Sequence, residues 1–335
     1  MEIKKYTLKH LPSDNLRIVQ PGQFKINYRQ ELNDAQYQAA TSTQGPFLVI
    51  AGAGTGKTRT IVYRVSYLIE NGVSPERILL LTFTRRAARQ MLTRATQLRD
   101  SRCDRVSGGT FHSFANMILR QHAPLIGYQP NFTILDQGDA EDTINVIRRQ
   151  LKFDEKGRRF PQKGMLQDIY SRTINTGVSV EKIVELDYPR FVDDVQDMKK
   201  VFQMYLVYKK KNNRMDYDDL LVNLVTLLQK NKDVRERLSL KYQYIMVDEY
   251  QDTNAMQAEI IKLLALVNKN IMVVGDDAQC IYSFRGSTID NILSFEKLYS
   301  GCTVIKLEEN YRSTQQILDL ANAVMKNSFS KAIDN

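Results

Sequence analysis

Residues 51–58 read AGAGTGKT, a glycine-rich loop that follows the apolar run Phe47-Leu48-Val49-Ile50 and leads into a segment of helical periodicity. Nothing else in the chain restricts the fold so tightly, because such a loop belongs where a strand hands over to a helix N-terminus. Gly52, Gly54 and Gly56 let the backbone curl so that successive N–H groups point inward, with Ala51, Ala53 and Thr55 between them. The helix start adds the positive end of its dipole, so the concavity suits an anion. Lys57 can reach the β and γ phosphates of a nucleotide, and the Thr58 hydroxyl is placed to ligate Mg²⁺. The strict pattern opens on glycine, and here Ala51 stands in that place.

At 335 residues the chain has room for two domains, or for one large domain with an insertion. No apolar run approaches the roughly 20 residues of a membrane span, and the opening MEIKKYTLKH lacks a secretory apolar stretch. The expected location is the cytosol, with no membrane partner. Cys103, Cys280 and Cys302 lack metal-type spacing, so reduced thiols are expected. A net charge of +9 favours a polyanionic partner. The cations cluster, with Arg85, Arg86, Arg89, Arg94, Arg99, Arg102 and Arg105 in one stretch and Lys209, Lys210, Lys211 and Arg214 in another. No amphipathic Trp-bearing anchor accompanies them, which favours nucleic acid over a membrane surface.

Five Val/Ile/Leu-rich runs of strand length, at 47–51, 77–83, 244–247, 271–274 and 303–307, alternate with helix-period segments. That is the pattern of βα units in a parallel sheet, and the fold class is α/β. Between about 116 and 214 the strand pattern gives way to helical stretches with basic loops such as Lys156-Gly157-Arg158-Arg159, which reads as a helical insertion. Residues 1–30, with Pro12, Pro21 and Gly22, read as an extended arm.

The apolar run Ile245-Met246-Val247 delivers Asp248 and Glu249 at its carboxyl end, where ligands of parallel sheets bind. Asp248 can hold Mg²⁺ and Glu249 can orient and deprotonate an attacking water. Asp216, Asp218 and Asp219 could form a metal cluster, but Asp216 ahead of Leu220-Leu221 also fits a helix N-cap, the preferred reading.

A further strand ends in GDDAQCIYSFRG at 275–286, and this segment resembles the third motif of the superfamily 1 helicases related to UvrD, Rep and PcrA. The other motifs of that family then fall into order: LNDAQYQAA at 32–40, TFT at 82–84 followed by Ala87-Ala88, TFHS at 110–113, MDYDDLL at 215–221, VDEYQDTN at 247–254 and ENYRS at 309–313. The resemblance implies a RecA-like P-loop core (domain 1A) over 31–115 and 215–306, carrying the insertion (domain 1B) over 116–214. Residues 307–335 would begin a second core (2A).

By this resemblance the cofactors are ATP and Mg²⁺. Gln36 would bond the adenine, Arg59 would lie beside it, and Tyr311 would stack on it. Lys57 and Glu249 would act on the phosphates and the water, Gln279 would sense the γ phosphate, and Arg312 would serve as an arginine finger. Single-stranded DNA and single-/double-strand junctions would be the polymer partners. Phe83, Tyr282 and Phe284 would stack on bases, while Thr84, Arg85, Thr110, His112, Ser113 and Arg285 would follow the sugar-phosphate track. Four positions depart from the family pattern: Phe284 replaces a common Trp, Arg85-Arg86 replaces Asn-Lys, and Cys280 replaces Ser.

UvrD-like motors use two cores, and this sequence stops about twenty residues after Arg312. The expectation is therefore a motor half that translocates 3′ to 5′ only as part of a longer protein, and that does not unwind duplex alone. Two rival readings remain: the motor half of a RecB- or AddA-like helicase-nuclease, and an ATP-gated single-strand binding protein that does not hydrolyse.

Overall fold

A computed structural model describes residues 24–98, 101–153, 160–276, 279 and 290–333. Most of the expected arm lies outside these residues, as do Cys280, Tyr282, Phe284 and Arg285. The strands are β1 (Phe47–Ala51), β2 (Ile78–Thr82), β3 (Ser107–Thr110), β4 (Thr133–Ile134), β5 (Arg214–Met215), β6 (Tyr244–Val247), β7 (Ile271–Gly275) and β8 (Thr303–Leu307). Helices at the N-terminal end are α1 (Tyr28–Glu31), α2 (Asp34–Thr41), α3 (Lys57–Glu70), α4 (Arg85–Gln97) and α5 (Phe111–His122). There follow α6 (Gln137–Gln150), α7 (Lys163–Thr176), α8 (Val180–Asp187) and α9 (Val195–Lys211). The last five are α10 (Tyr217–Lys230), α11 (Lys232–Lys241), α12 (Ala255–Leu264), α13 (Asp290–Leu298) and α14 (Gln315–Ile333). Among the described residues no helix is long and apolar enough to cross a membrane.

Six strands form one sheet in the order β3-β2-β6-β7-β1-β8, and every neighbouring pair is parallel. The period of two sorts its side chains to opposite faces. Leu48, Leu81, Ile245, Val247 and Val273 pack under α5, α10 and α12. Phe47, Val49, Leu80, Met246 and Val274 pack under α3 and α4. Both faces of the inner strands are covered, which is why they read as near-continuous apolar runs, whereas the edge strand β8 buries only Ile305 and Leu307. β3 is the exception: SGGT offers no such run, and it is absent from the five expected strands for that reason. Its glycines are needed, since a Cβ on Gly108 would stand 2.8 Å from Leu92 Cδ1.

The insertion has its own apolar cluster, running from Leu135 on the edge of α6 to Tyr205 on α9. It is framed by the short parallel pair β4 and β5. The expected start at 116 falls inside α5, whose Phe114, Ala115, Ile118 and Leu119 belong to the sheet's cluster instead. Part of the expected arm is also structured: Ile26 and Tyr28 pack with Leu32, Ala40 and Tyr63. Asp216 caps α10, with Asp219 returning a bond to the Asp216 N–H. The expected basic cluster at 209–214 loses its first member, because Lys209 is buried against Asp216 and Asp219.

Candidate nucleotide and nucleic-acid site

The loop after β1 turns through Gly54 (φ 85°) and Gly56 (φ 88°), left-handed positions that a side chain rarely adopts, and α3 starts at Lys57. Thr55 Oγ1 donates to the Gly52 carbonyl at 2.8 Å, closing the turn. Gln36, buried on α2, donates from Nε2 to the Thr55 carbonyl at 3.0 Å and completes the capping box of its own helix. Its carboxamide thus braces the loop from behind. From the other end of the chain, Asn310 Nδ2 donates to Ala53 O at 2.6 Å and the Tyr311 N–H donates to Gly54 O at 2.9 Å. Gly54 makes that approach possible, since a Cβ there would lie 2.8 Å from both Arg312 Cβ and Asn310 Oδ1.

These contacts enclose a cavity of about 450 Å³ lined by Gly54, Lys57, Thr58, Arg59, Glu249, Gln279, Tyr311 and Arg312. Lys57 Nζ donates to Glu249 Oε2 at 3.1 Å. Gln279 Nε2 donates to Asp276 Oδ2 at 2.7 Å. Tyr311 is exposed, and its hydroxyl accepts from Asn33 Nδ2 at 2.8 Å while donating to Glu309 Oε2 at 2.6 Å. Arg59 is paired with Glu31 at 2.8 Å and lies over the Tyr63 ring.

Asp248 is 4% exposed, its N–H bonded to Leu81 O, and its Oδ1 is buried without a hydrogen-bond partner. Burial first, and the neighbouring Glu249 charge second, push its carboxyl up to about 7. Asp248 lines one cavity together with Thr58, and a carboxylate with an unpartnered oxygen there fits a hard divalent cation, which takes oxygen ligands and would favour the ionised form. Glu249 adopts a left-handed backbone (φ 52°), uncommon for a non-glycine residue, which turns its side chain out of the strand.

The nucleic-acid candidates divide. Phe83 and His112 meet in a cleft of about 440 Å³ between the sheet and the insertion, together with Tyr217, whose ring stands edge-on to the imidazole at 5.9 Å. Burial lowers the His112 pKa, disfavouring the charged imidazole. Thr110 and Ser113 form the capping box of α5, and Thr84 caps α4 by accepting from the Ala87 N–H at 3.1 Å. Arg85 lies on the outer face of α4, away from that cleft.

Four residues without an assigned role in the sequence reading belong to the site. Arg94 lines the phosphate cavity from α4. Asn310 clasps the loop, and Asp252 lines both the Thr58–Asp248 cavity and the interdomain cleft. Gln251 donates to Glu249 Oε2 at 2.7 Å and accepts from the Asp276 N–H at 3.1 Å, tying β7 to the acidic pair. Gln251 and Asn310 sit inside the quoted motifs, but only the fold reveals whom they touch.

A phosphate loop leaving one strand of a parallel sheet, with a glutamine after the neighbouring β7 and an acidic pair at the end of β6 one strand further on, defines a P-loop nucleotide-binding protein with a RecA-like core. The particular family follows from sequence comparison: the UvrD/REP helicase N-terminal domain matches residues 32–300, and the chain belongs to that family. It is 40% identical over 300 residues to "ATP-dependent DNA helicase PcrA" of Staphylococcus aureus (strain Mu50), a match covering 89% of this chain and 40% of the relative. The protein of that name from Bacillus subtilis (strain 168) is 40% identical over 310 residues, covering 91% and 40%. The chain thus spans about two fifths of the length of the curated relatives it matches.

Proposed function

We propose that this chain is the ATP-hydrolysing half of a DNA helicase, binding ATP with Mg²⁺ and single-stranded DNA. In the intact protein it couples hydrolysis to 3′-to-5′ translocation and duplex unwinding. The observation that carries the reading is the convergence of Lys57, Thr58, Glu249, Gln279 and Arg312 on one cavity, with the orphaned Asp248 carboxylate beside it. The names of the relatives support the helicase assignment, and the strand polarity rests on the family resemblance alone. Cytosolic DNA processing is the matching location.

The chain's residues divide the chemistry. Loop N–H groups and Lys57 bind the β and γ phosphates, and Thr58 and Asp248 hold the metal. Mg²⁺, when bound, supplies positive charge to the phosphate oxygens. When Lys57 turns to the phosphates it leaves Glu249, whose carboxylate, still oriented by Gln251, can then take the proton of the attacking water. Gln279 and Arg312 donate hydrogen bonds to the γ phosphoryl as its charge redistributes. Arg59 and Tyr311 hold the base on the outer side of the loop, which Gln36 braces from behind. Phe83, with His112 in the adjoining cleft, receives the bases of the strand.

The test is ATP hydrolysis by the purified chain and by its extended form, each with and without oligothymidylate. Strand-stimulated hydrolysis that disappears in Glu249→Gln is expected. Nucleotide-independent strand binding with no hydrolysis in either form would instead identify a passive binding protein.

A further inference from the structure

Segment 249–254, which follows β6 and Asp248, ties the nucleotide cavity to the insertion through side-chain hydrogen bonds that the proposed chemistry leaves unused. At one end Glu249 holds Lys57. At the other Asn254 accepts the Gln257 N–H on Oδ1 at 2.9 Å, capping α12, and donates from Nδ2 to Asn175 Oδ1 at 2.7 Å. Asn175 stands in the last turn of α7 and donates in turn to Asp218 Oδ1 at 2.8 Å, in the first turn of α10. The ends set the polarity of this bridge. A carboxylate only accepts, so Asp218 takes Asn175 Nδ2 and leaves Asn175 Oδ1 for Asn254, whose own Oδ1 is engaged by the helix cap. Asn254 is buried and the other two are half-buried, so bulk water only partly screens the bonds.

We propose, resting on the nucleotide and strand binding argued above, that Asn254, Asn175 and Asp218 are positioning residues through which occupancy of the nucleotide cavity sets the place of α7 against the strand cleft. Within segment 249–254 the Asp252 N–H donates to Glu249 O at 2.9 Å and the Thr253 N–H to Tyr250 O at 3.1 Å, so the turn moves as a unit. When phosphates take Lys57 from Glu249, the carboxylate and the turn behind it resettle, and Asn254 passes the shift to Asn175. Gln167, Ser171 and Asn175, at four-residue intervals, share one face of α7 and line the cleft with Phe83 and His112. Leu166, Ile169 and Tyr170 fix the same helix in the insertion's core. A pull on Asn175 therefore moves a wall of the cleft. The three bridge residues line neither the phosphate cavity nor the Thr58–Asp248 cavity, so they reach the nucleotide only through the turn. Linkage makes the effect reciprocal: a strand in the cleft changes nucleotide affinity by the same factor.

The experiment measures the Kd of a fluorescent oligothymidylate for the 335-residue chain with and without Mg²⁺ and adenylyl imidodiphosphate, alongside the melting temperature of each variant. The parent's two Kd values are expected to differ by about fivefold or more, and Asn175→Ala to bring the ratio to about 1. Asn175→Asp sets two carboxylates face to face and carries the same expectation where Asn175→Ala does not fold. The exchange Asn175→Asp/Asp218→Asn puts the donor on α10 and the acceptor on α7, leaves Asn254 an acceptor, and is expected to recover the parent's ratio. A junction that only holds the fold together would change the melting temperature and leave the ratio alone. A folded Asn175→Ala with the parent's ratio, or an exchange variant no better coupled than Asn175→Asp, overturns the bridge and leaves both binding readings intact. A parent that binds the strand equally well with and without bound nucleotide does the same. A parent that binds neither ligand overturns the bridge and the proposed function together.

Discussion

Lys57 Nζ stands 3.1 Å from Glu249 Oε2, so the loop's cation is bonded to the proposed general base. The pair joins α3 to the end of β6 across the cavity. Arriving phosphates compete with Glu249 for that ammonium, and binding and activation of the base become one exchange. Lys57→Ala is expected to abolish nucleotide binding. Glu249→Gln is expected to bind ATP as well as or better than the parent, because a neutral amide no longer opposes the phosphates, while turnover in the intact enzyme falls by at least about a hundredfold. Fluorescent-nucleotide titration and steady-state hydrolysis separate the two effects. Unimpaired hydrolysis by Glu249→Gln would remove that residue from the chemistry.

Gly54 is where the loop after β1 meets the 310–312 segment. A methyl group there would press on Arg312 Cβ and the Asn310 carboxamide at 2.8 Å, from a backbone at φ 85°. Gly54→Ala is therefore expected to displace the 310–312 segment and to destabilise the chain by about 1–2 kcal/mol from the left-handed backbone alone. Nucleotide affinity should fall with it. Chemical denaturation and nucleotide titration measure both; a variant with the parent's stability would show that the loop tolerates the side chain.

The phosphate loop, the acidic pair and the sheet's buried strands were legible because their signals are local: a glycine spacing, a run of β-branched residues, two carboxylates at a strand end. β3 was not legible, since SGGT earns its place by pairing with β2 and fitting under Leu92. Nor was the loop's bracing by Gln36 and Asn310, contacts made across 19 and 257 residues. Arg59 was read as a base-side residue, and its pairing with Glu31 adds a constraint that sequence spacing does not show. Charge runs misled most: Lys209 looks like part of a solvated basic patch, yet its neighbours Lys210 and Lys211 alone reach the surface.

Asp248 supplies a pH test of the metal site. In the unfolded chain its carboxyl loses its proton near 4, whereas in the folded chain it holds it up to about 7. Between those values the folded state binds a proton that the unfolded state has lost, so stability falls as pH rises from about 4 to 7 and is level above. The penalty is at most roughly 4 kcal/mol. Asp248→Asn is expected to melt higher than the parent at pH 8, with the gap closing towards pH 4. Mg²⁺ should raise the parent's melting temperature at pH 8 and leave that of the variant unmoved. A melting difference independent of pH would mean that the carboxyl titrates normally.

Lys209 is the cation on which the junction between insertion and sheet depends. It is 1% exposed on α9, with Asp216 Oδ2 at 2.6 Å and Asp219 Oδ2 at 2.7 Å, and Tyr170 and Tyr205 flank it. Asp216 also accepts from the Tyr205 hydroxyl and caps α10. Removing the ammonium leaves two carboxylates together in an apolar setting. Burial and the Asp216 charge already hold Asp219 up at about 6, against the downward pull of Lys209. Without that pull the Asp219 carboxyl rises further, and the folded state can relieve itself only by taking up a proton. Lys209→Met is thus expected to cost about 3–5 kcal/mol at pH 8. The cost should shrink as pH falls towards 4, where the folded Asp219 carboxyl is protonated and the unfolded one begins to be. Adding Asp219→Asn should recover part of the loss at pH 8, because one buried charge then needs no partner. Urea denaturation at the two pH values reads all three quantities. A loss below about 1 kcal/mol, or one unchanged by pH, would show that water reaches the pair and that the junction is held by its apolar contacts.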